Sequence, residues 1–131
     1  MSSGHTILLV DDDADFVEMH RLLLEQNGYA VKAAYSGRQC LEAVAAGRPD
    51  IIILDMAMES PSDGFDVSRS LRNSEHTKGI PLVMITSVND SIPFRLEPDR
   101  TWLPVDALLE KPVDPQLLLE VVSRALAGGV G

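Results

Sequence analysis

Cysteine, aromatic residues and long apolar runs are all scarce in this chain of 131 residues. Cys40 is the only cysteine, so no disulfide can form within the chain, and we expect it to serve as a small apolar residue on a helix. No apolar run approaches the roughly 20 residues that a membrane-spanning helix needs. Residues 1–5 also lack the basic and apolar segments of a signal peptide. These absences predict a cytoplasmic protein that does not enter a membrane.

Basic residues are also few compared with acidic ones. The chain has 11 Lys and Arg and 20 Asp and Glu, which gives a formal net charge of −9. Proteins that bind nucleic acid without regard to sequence depend on Lys and Arg to neutralise phosphates. We therefore expect no direct binding to nucleic acid. The acidic excess is consistent with a solvated acidic surface or with a carboxylate cluster that binds a cation.

Short apolar runs alternate with helical patterns along the chain, which is typical of parallel βαβ units. The predicted strands are 7–10, 29–34, 51–54, 82–85 and 107–109. Helices are predicted to begin near Asp13, Ser36, Phe65 and Asp114, with Asp63 and Gly64 as turn residues. Proline inside a helix costs about 3 kcal/mol, so the three prolines in 88–104 predict an irregular or shortened fourth helix. The length suits a single domain spanning 1–131, with a core of about 5–127.

Apolar spacing predicts which side of each helix faces the core. On the second helix the inward residues are expected to be Cys40, Leu41 and Val44. On the last helix they are expected to be Leu117, Leu118, Val121, Val122 and Ala125.

Polar residues follow the predicted strands at the points where each strand ends. Asp11 and Asp12 follow the first strand, Asp55 the third, Thr86 the fourth, and Lys111 comes shortly after the fifth. The carboxyl ends of parallel strands lie at one edge of a sheet, so these side chains should converge there. Three carboxylates held together repel, and Mg²⁺, which prefers hard oxygen ligands, would relieve that repulsion. A neutralised carboxylate at Asp55 can then attack phosphorus as a nucleophile.

Each of these residues also has a simpler interpretation. Asp11 and Asp12 can cap a helix, which is a common use of aspartate. Thr86 can be an ordinary strand end, Lys111 a solvated loop lysine, and Asp55 a strand-end carboxylate without chemistry. The cation and phosphoryl interpretation is preferred because it accounts for all five together.

Five segments carry a resemblance to a known family. They are Ile7-Leu8-Leu9-Val10-Asp11-Asp12, Ile51-Ile52-Ile53-Leu54-Asp55, Asp63-Gly64-Phe65, Met84-Ile85-Thr86-Ser87 and Lys111-Pro112. In this order and spacing, over nearly the whole chain, they resemble the receiver domain of two-component response regulators. The resemblance implies a flavodoxin-like (CheY-like) three-layer α/β fold whose five-stranded parallel sheet has the order 2-1-3-4-5.

The same resemblance implies a set of metal ligands. Asp12 and Asp55 would bind Mg²⁺ directly, Asp11 would bind it largely through water, and the backbone carbonyl of Ala57 would complete the protein ligands.

The resemblance also implies a route for the phosphoryl group. Asp55 would be the phosphoacceptor, Thr86 the switch hydroxyl and Lys111 the contact to the phosphoryl oxygens. The donor would be a phosphohistidine on a sensor histidine kinase or a histidine phosphotransfer protein. The domain would not be an enzyme in the usual sense, because it catalyses only its own phosphorylation and dephosphorylation. A downstream protein target and a homodimer are further possibilities.

Three departures from the family pattern keep alternatives open. The loop between Asp55 and Gly64 is one residue longer than usual, Leu108 stands where the family has its switch aromatic, and 88–104 is unusually rich in proline. A pseudo-receiver that serves only as an interaction module fits these departures. A haloacid-dehalogenase-like phosphatase using Asp11 is a second alternative. Only residues 127–131 follow the last helix, so we expect no attached output domain.

Overall fold

Five parallel strands and the helices on either side of them make up the fold. The computed structural model describes residues 5–55, 63–87, 107–111 and 113–127. The strands are β1 Thr6–Val10, β2 Ala30–Ala34, β3 Ile51–Asp55, β4 Leu82–Ser87 and β5 Ala107–Lys111. The helices are α1 Ala14–Gln26, α2 Gly37–Ala46, α3 Asp63–Arg72 and α4 Pro115–Leu126. The strand order β2-β1-β3-β4-β5, with every pair parallel, confirms the predicted flavodoxin-like fold.

Two predictions fall outside the described residues. The irregular or shortened fourth helix was expected within 88–104, and Ala57 was expected to supply a backbone ligand.

Alternating side chains of the strands fill two separate hydrophobic layers. All five residues of β3 are buried, as expected for a central strand covered on both faces. One layer packs against α2 and α3; it includes Leu8, Val10, Ile52, Leu54, Cys40, Val44, Val67 and Leu71. The other packs against α1 and α4; it includes Ile7, Leu9, Ile51, Ile53, Val17, Leu24, Leu118 and Val122. The sheet is therefore the middle of three layers.

Side-chain caps set the start of three helices, at the residues the sequence predicts. Asp13 caps α1, and Ser36 Oγ accepts from the backbone N–H of Gln39 (3.1 Å) at the start of α2. Asp114 Oδ1 accepts from the N–H of Gln116 (3.0 Å) at the start of α4. Gly28, just beyond α1, has φ 92°, the left-handed conformation that favours glycine at a helix end.

Three details of the predicted elements are wrong. Leu41 and Leu117 are 40% and 44% exposed, so neither belongs to the buried face of its helix. Asp63 and Gly64 belong to the first turn of α3 rather than to the turn before it. Cys40 is buried as expected, and that burial raises the pKa of its thiol to about 12.

Hydrogen bonds also join β1 and the start of β3 at the opposite, amino-terminal edge of the sheet. Asp50 Oδ2 accepts from the backbone N–H of Thr6 (2.7 Å), while the N–H of Asp50 donates to the Thr6 carbonyl (2.9 Å). This reciprocal pair fixes the start of β3 against the start of β1. Among the residues that the structure describes, no helix is long and apolar enough to cross a membrane.

The strand β2 forms one edge of the sheet, and most of its side chains are exposed. Lys32 lies at its centre. The Lys32 Nζ atom is 3.5 Å from the position that a Cβ on Gly47 would occupy, which places the ammonium beside the carboxyl end of α2. A cation at this end of a helix interacts favourably with the helix dipole.

Candidate functional site

The carboxyl ends of β1 and β3 bring three aspartates together. Val10 pairs with Leu54 in the sheet, so the residues that follow them, Asp11 and Asp55, lie side by side. One carboxylate oxygen from each of Asp11, Asp12 and Asp55 lies within 4.8 Å of the other two. The convergence predicted for these three side chains is therefore present in the structure.

The three carboxylates differ in their exposure to water. Asp11 is 0% exposed and Asp55 is 5% exposed, whereas Asp12 is open to solvent. The backbone N–H of Asp11 donates to the Ala34 carbonyl (3.1 Å), and Asp11 Oδ1 accepts from the N–H of Asp13 (2.9 Å). Two of the three carboxylates are thus largely shielded from water, and the third, Asp12, is exposed to solvent.

This donor set fits a hard divalent cation. Two unit charges 4.8 Å apart at an effective dielectric constant of 20 repel by about 3.5 kcal/mol. A cation between carboxylate oxygens replaces that repulsion by attraction, and Mg²⁺ is commonly held by one or two carboxylates with waters completing its shell. Asp12 is exposed, so waters that complete the shell of a cation could approach the cluster from its side.

The backbone positions of Thr86 and Lys111 place both residues at the same edge of the sheet. Asp55 pairs with Ile85, so Thr86 lies one residue beyond Asp55 on the neighbouring strand. Thr86 pairs with Glu110, and Ser87 pairs with Lys111. Both strands extend further than predicted, because Thr86 and Lys111 are strand residues rather than residues after a strand. Their roles toward a phosphoryl group stay predictions.

Sequence reasoning missed the backbone contact that Asp13 makes to Asp11. The signal available was the run of three aspartates, in which Asp13 was expected only to mark the start of α1. The structure gives Asp13 both tasks: its side chain caps the helix, and its N–H binds Asp11.

Known proteins with similar sequences are bacterial response regulators. The DNA-binding response regulator MtrA of Mycobacterium tuberculosis is 35% identical over 121 residues, which cover 92% of this chain and 49% of that protein. The chain therefore spans about half the length of the MtrA relatives it matches. Protein PilH of Pseudomonas aeruginosa is 31% identical over 127 residues, covering 93% of this chain and 98% of PilH.

A solved structure with a similar fold is the signal receiver domain of a signal transduction histidine kinase from Syntrophus aciditrophicus. It superposes with a TM-score of 0.81 and 27% identity, covering 95% of this chain and 92% of that one. The family model described as "Response regulator receiver domain" matches residues 7–123. These similarities go against the dehalogenase-like phosphatase. The chain belongs to the response regulator receiver domain family, whose members are signalling domains of two-component systems rather than conventional enzymes.

Proposed function

We propose that this domain, taken as a single unit over 1–131, is a switch activated when Asp55 accepts a phosphoryl group. The observation that carries the proposal is the cluster of Asp11, Asp12 and Asp55, with carboxylate oxygens within 4.8 Å at the carboxyl edge of the sheet. Asp55 is the member that ends the central strand, where open α/β sheets bind their ligands.

The cation is proposed to be Mg²⁺, which receiver domains generally bind at such an aspartate cluster. Asp12 and Asp55 would hold it directly, Asp11 through water, and Ala57 through its backbone carbonyl. When bound, Mg²⁺ supplies the positive charge that phosphoryl transfer needs at the transferring oxygens. The near-complete burial of Asp11 and Asp55 limits water around these charges, which strengthens every electrostatic interaction there.

The transfer itself is a substitution at phosphorus. An oxygen of Asp55 forms the new P–O bond while the P–N bond to the donor histidine breaks, and the departing imidazole keeps the electron pair and takes up a proton. Lys111 would offset negative charge on the phosphoryl oxygens, and the Thr86 hydroxyl would donate a hydrogen bond to one of them. Hydrolysis of the acyl phosphate then returns Asp55 to its carboxylate form.

The donor partner follows from the family, because receiver domains of two-component systems interact with histidine kinases. We propose a sensor histidine kinase or a histidine phosphotransfer protein as the donor, and a downstream protein as the target. A homodimer of the phosphorylated domain is a further possibility. Nucleic acid is not proposed as a direct ligand, given the net charge of −9.

The test is phosphorylation with a small donor. The protein is incubated with acetyl phosphate and Mg²⁺, and intact-mass and peptide mass spectrometry locate the added phosphoryl group. We expect a single addition on Asp55 that depends on Mg²⁺ and is lost in Asp55→Asn. Glu120→Gln, which changes an exposed carboxylate on α4, is the matched control and should be phosphorylated like the wild type.

Two other outcomes would point elsewhere. A protein that neither binds Mg²⁺ nor gains a phosphoryl group would be a pseudo-receiver that works through contacts alone. Rapid turnover of the donor that persists in Asp55→Asn and stops in Asp11→Asn would instead indicate the phosphatase chemistry of the dehalogenase type.

A further inference from the structure

One residue, Asp13, connects the acidic cluster to the start of α1. Its backbone N–H donates to Asp11 Oδ1 (2.9 Å). Its own side-chain Oδ1 accepts from the backbone N–H of Asp15 (3.0 Å) and of Phe16 (3.3 Å), which are the contacts of a helix N-cap. The donor that holds the Asp11 carboxylate is therefore itself held in place by the cap.

Asp11 is fixed from its other side as well. Its N–H donates to the Ala34 carbonyl on β2 (3.1 Å), and the residue is 0% exposed. With the backbone anchored in this way, the N–H of Asp13 is one of the contacts that set the orientation of the carboxylate. Groups that orient a direct metal ligand commonly change metal affinity by about 10- to 100-fold. Because Asp11 is proposed to meet the cation through water, we expect the effect of Asp13 at the low end of that range.

We propose that Asp13 is a positioning residue for the cation: by capping α1 it holds the backbone donor that orients the Asp11 carboxylate. This inference rests on the proposed function, because it takes the cluster of Asp11, Asp12 and Asp55 to be a Mg²⁺ site. The proposed role belongs to the helix cap that Asp13 forms and does not depend on the negative charge of its side chain. A neutral side chain that still caps the helix keeps the turn and its N–H in place.

Substitutions at position 13 separate the cap from the charge. Asn and Ser are neutral and cap helices about as well as Asp, whereas Ala does not cap. Mg²⁺ alone is titrated into the wild type, Asp13→Asn, Asp13→Ser and Asp13→Ala by isothermal titration calorimetry. We expect Kd for Asn and Ser within about twofold of the wild type, as the cap ranking implies. For Ala we expect Kd to rise about tenfold.

Two further measurements test whether the loss of Mg²⁺ affinity comes from a changed position of the residue 13 N–H. Hydrogen exchange of the residue 13 amide, followed by NMR, should be faster in Asp13→Ala than in Asp13→Asn, because the N–H no longer keeps its contact to Asp11. Ser36→Ala is the matched control, since it removes the cap of α2 and leaves the cluster untouched. It should lower Tm much as Asp13→Ala does while leaving the Kd for Mg²⁺ unchanged.

The outcomes are distinguishable. Equal weakening in all three neutral variants would show that only the charge of Asp13 matters, and wild-type affinity in Asp13→Ala would show no role; either result overturns the inference. A comparable loss of affinity in Ser36→Ala would do the same, by attributing the effect to general instability. Failure of the wild type to bind Mg²⁺, or binding that survives Asp55→Asn, would overturn the proposed site itself, and with it this inference, before any change at position 13 is considered.

Discussion

Replacing Asp55 by Asn is expected to stabilise the domain when Mg²⁺ is absent and to remove the stabilisation that Mg²⁺ provides. Asn keeps the size and much of the hydrogen-bonding capacity of Asp but carries no charge. The change therefore acts on the repulsion within the cluster and leaves the packing of β3 in place. The same substitution should therefore raise the stability of the domain without Mg²⁺ and abolish the gain in stability that Mg²⁺ gives.

The size of the effect comes from the geometry of the cluster. Oxygens of Asp11 and Asp55 within 4.8 Å of each other, both largely buried, repel by about 3.5 kcal/mol at an effective dielectric constant of 20. The exposed Asp12 adds about 1 kcal/mol, because its interaction is closer to that in bulk water. Relaxation and screening by salt reduce these values, so we expect the free energy of unfolding to rise by about 2 kcal/mol in EDTA.

The assay is urea unfolding of wild type and Asp55→Asn, each in EDTA and in excess Mg²⁺. At a free concentration 100 times Kd, a ligand stabilises the native state by about 2.7 kcal/mol, so the wild type should gain about that much and the variant almost nothing. Glu120→Gln should differ from the wild type by no more than about 0.5 kcal/mol in either condition. An Asp55→Asn protein that is less stable than wild type in EDTA, and still stabilised by Mg²⁺, would refute the reasoning.

Four further predictions concern the scaffold. Asp50→Ala leaves the partly buried N–H of Thr6 without its acceptor and should cost about 1 kcal/mol in urea unfolding; an unchanged midpoint would contradict this. The Cys40 thiol, with its pKa raised by burial from 9.0 to about 12, should react with thiol reagents at pH 8 only after unfolding. Because the unfolded chain loses that proton first, stability should fall as pH rises from about 9 toward 12, by about 1.4 kcal/mol per pH unit, and Cys40→Ala should lack this contribution. Leu118→Ala should cost about 2–5 kcal/mol, whereas Leu117→Ala, at a 44% exposed position, should cost no more than about 0.5 kcal/mol; equal losses would refute the assigned helix face.

The positions of the strands and the starts of helices were predictable because they depend on local chemistry, whereas the order of the strands in the sheet came only from the resemblance to the receiver family. A run such as Ile51 to Leu54, with β-branched residues at three of its four positions, favours a strand covered on both faces. Residues that cap helices, such as Ser36 and Asp114, satisfy backbone N–H groups that have no partner inside the helix. These features depend on neighbouring residues in the chain and need no knowledge of the tertiary structure.

The errors arose where the tertiary structure decides. Leu117 and Leu118 are adjacent and point about 100° apart around α4, so packing against the sheet buries only the one in line with Val122 and Ala125. Asp63 and Gly64 have the composition of a turn, yet α3 begins at Asp63, because propensity is a weak preference that tertiary context overrides.

The residues of the candidate site were predictable from the sequence, but the hydrogen bonds that hold the site and the sheet in place were not. Strand polarity indicated that Asp11, Asp12 and Asp55 share an edge, since strand ends in a parallel sheet align. The contact from the Asp13 N–H to Asp11 and the contact from Asp50 to Thr6 were not predictable, because each depends on the position of a backbone donor in three dimensions.

The position of β2 as an edge strand has a consequence for how copies of the domain behave at high concentration. An edge strand carries backbone groups that a strand from another molecule can pair with, and such pairing leads to aggregation. In β2 the strand is five residues long and a lysine stands at its centre. A short edge strand that carries a lysine is a common means by which natural sheets discourage such pairing, so the length of β2 and the charge of Lys32 disfavour association of two copies at this edge.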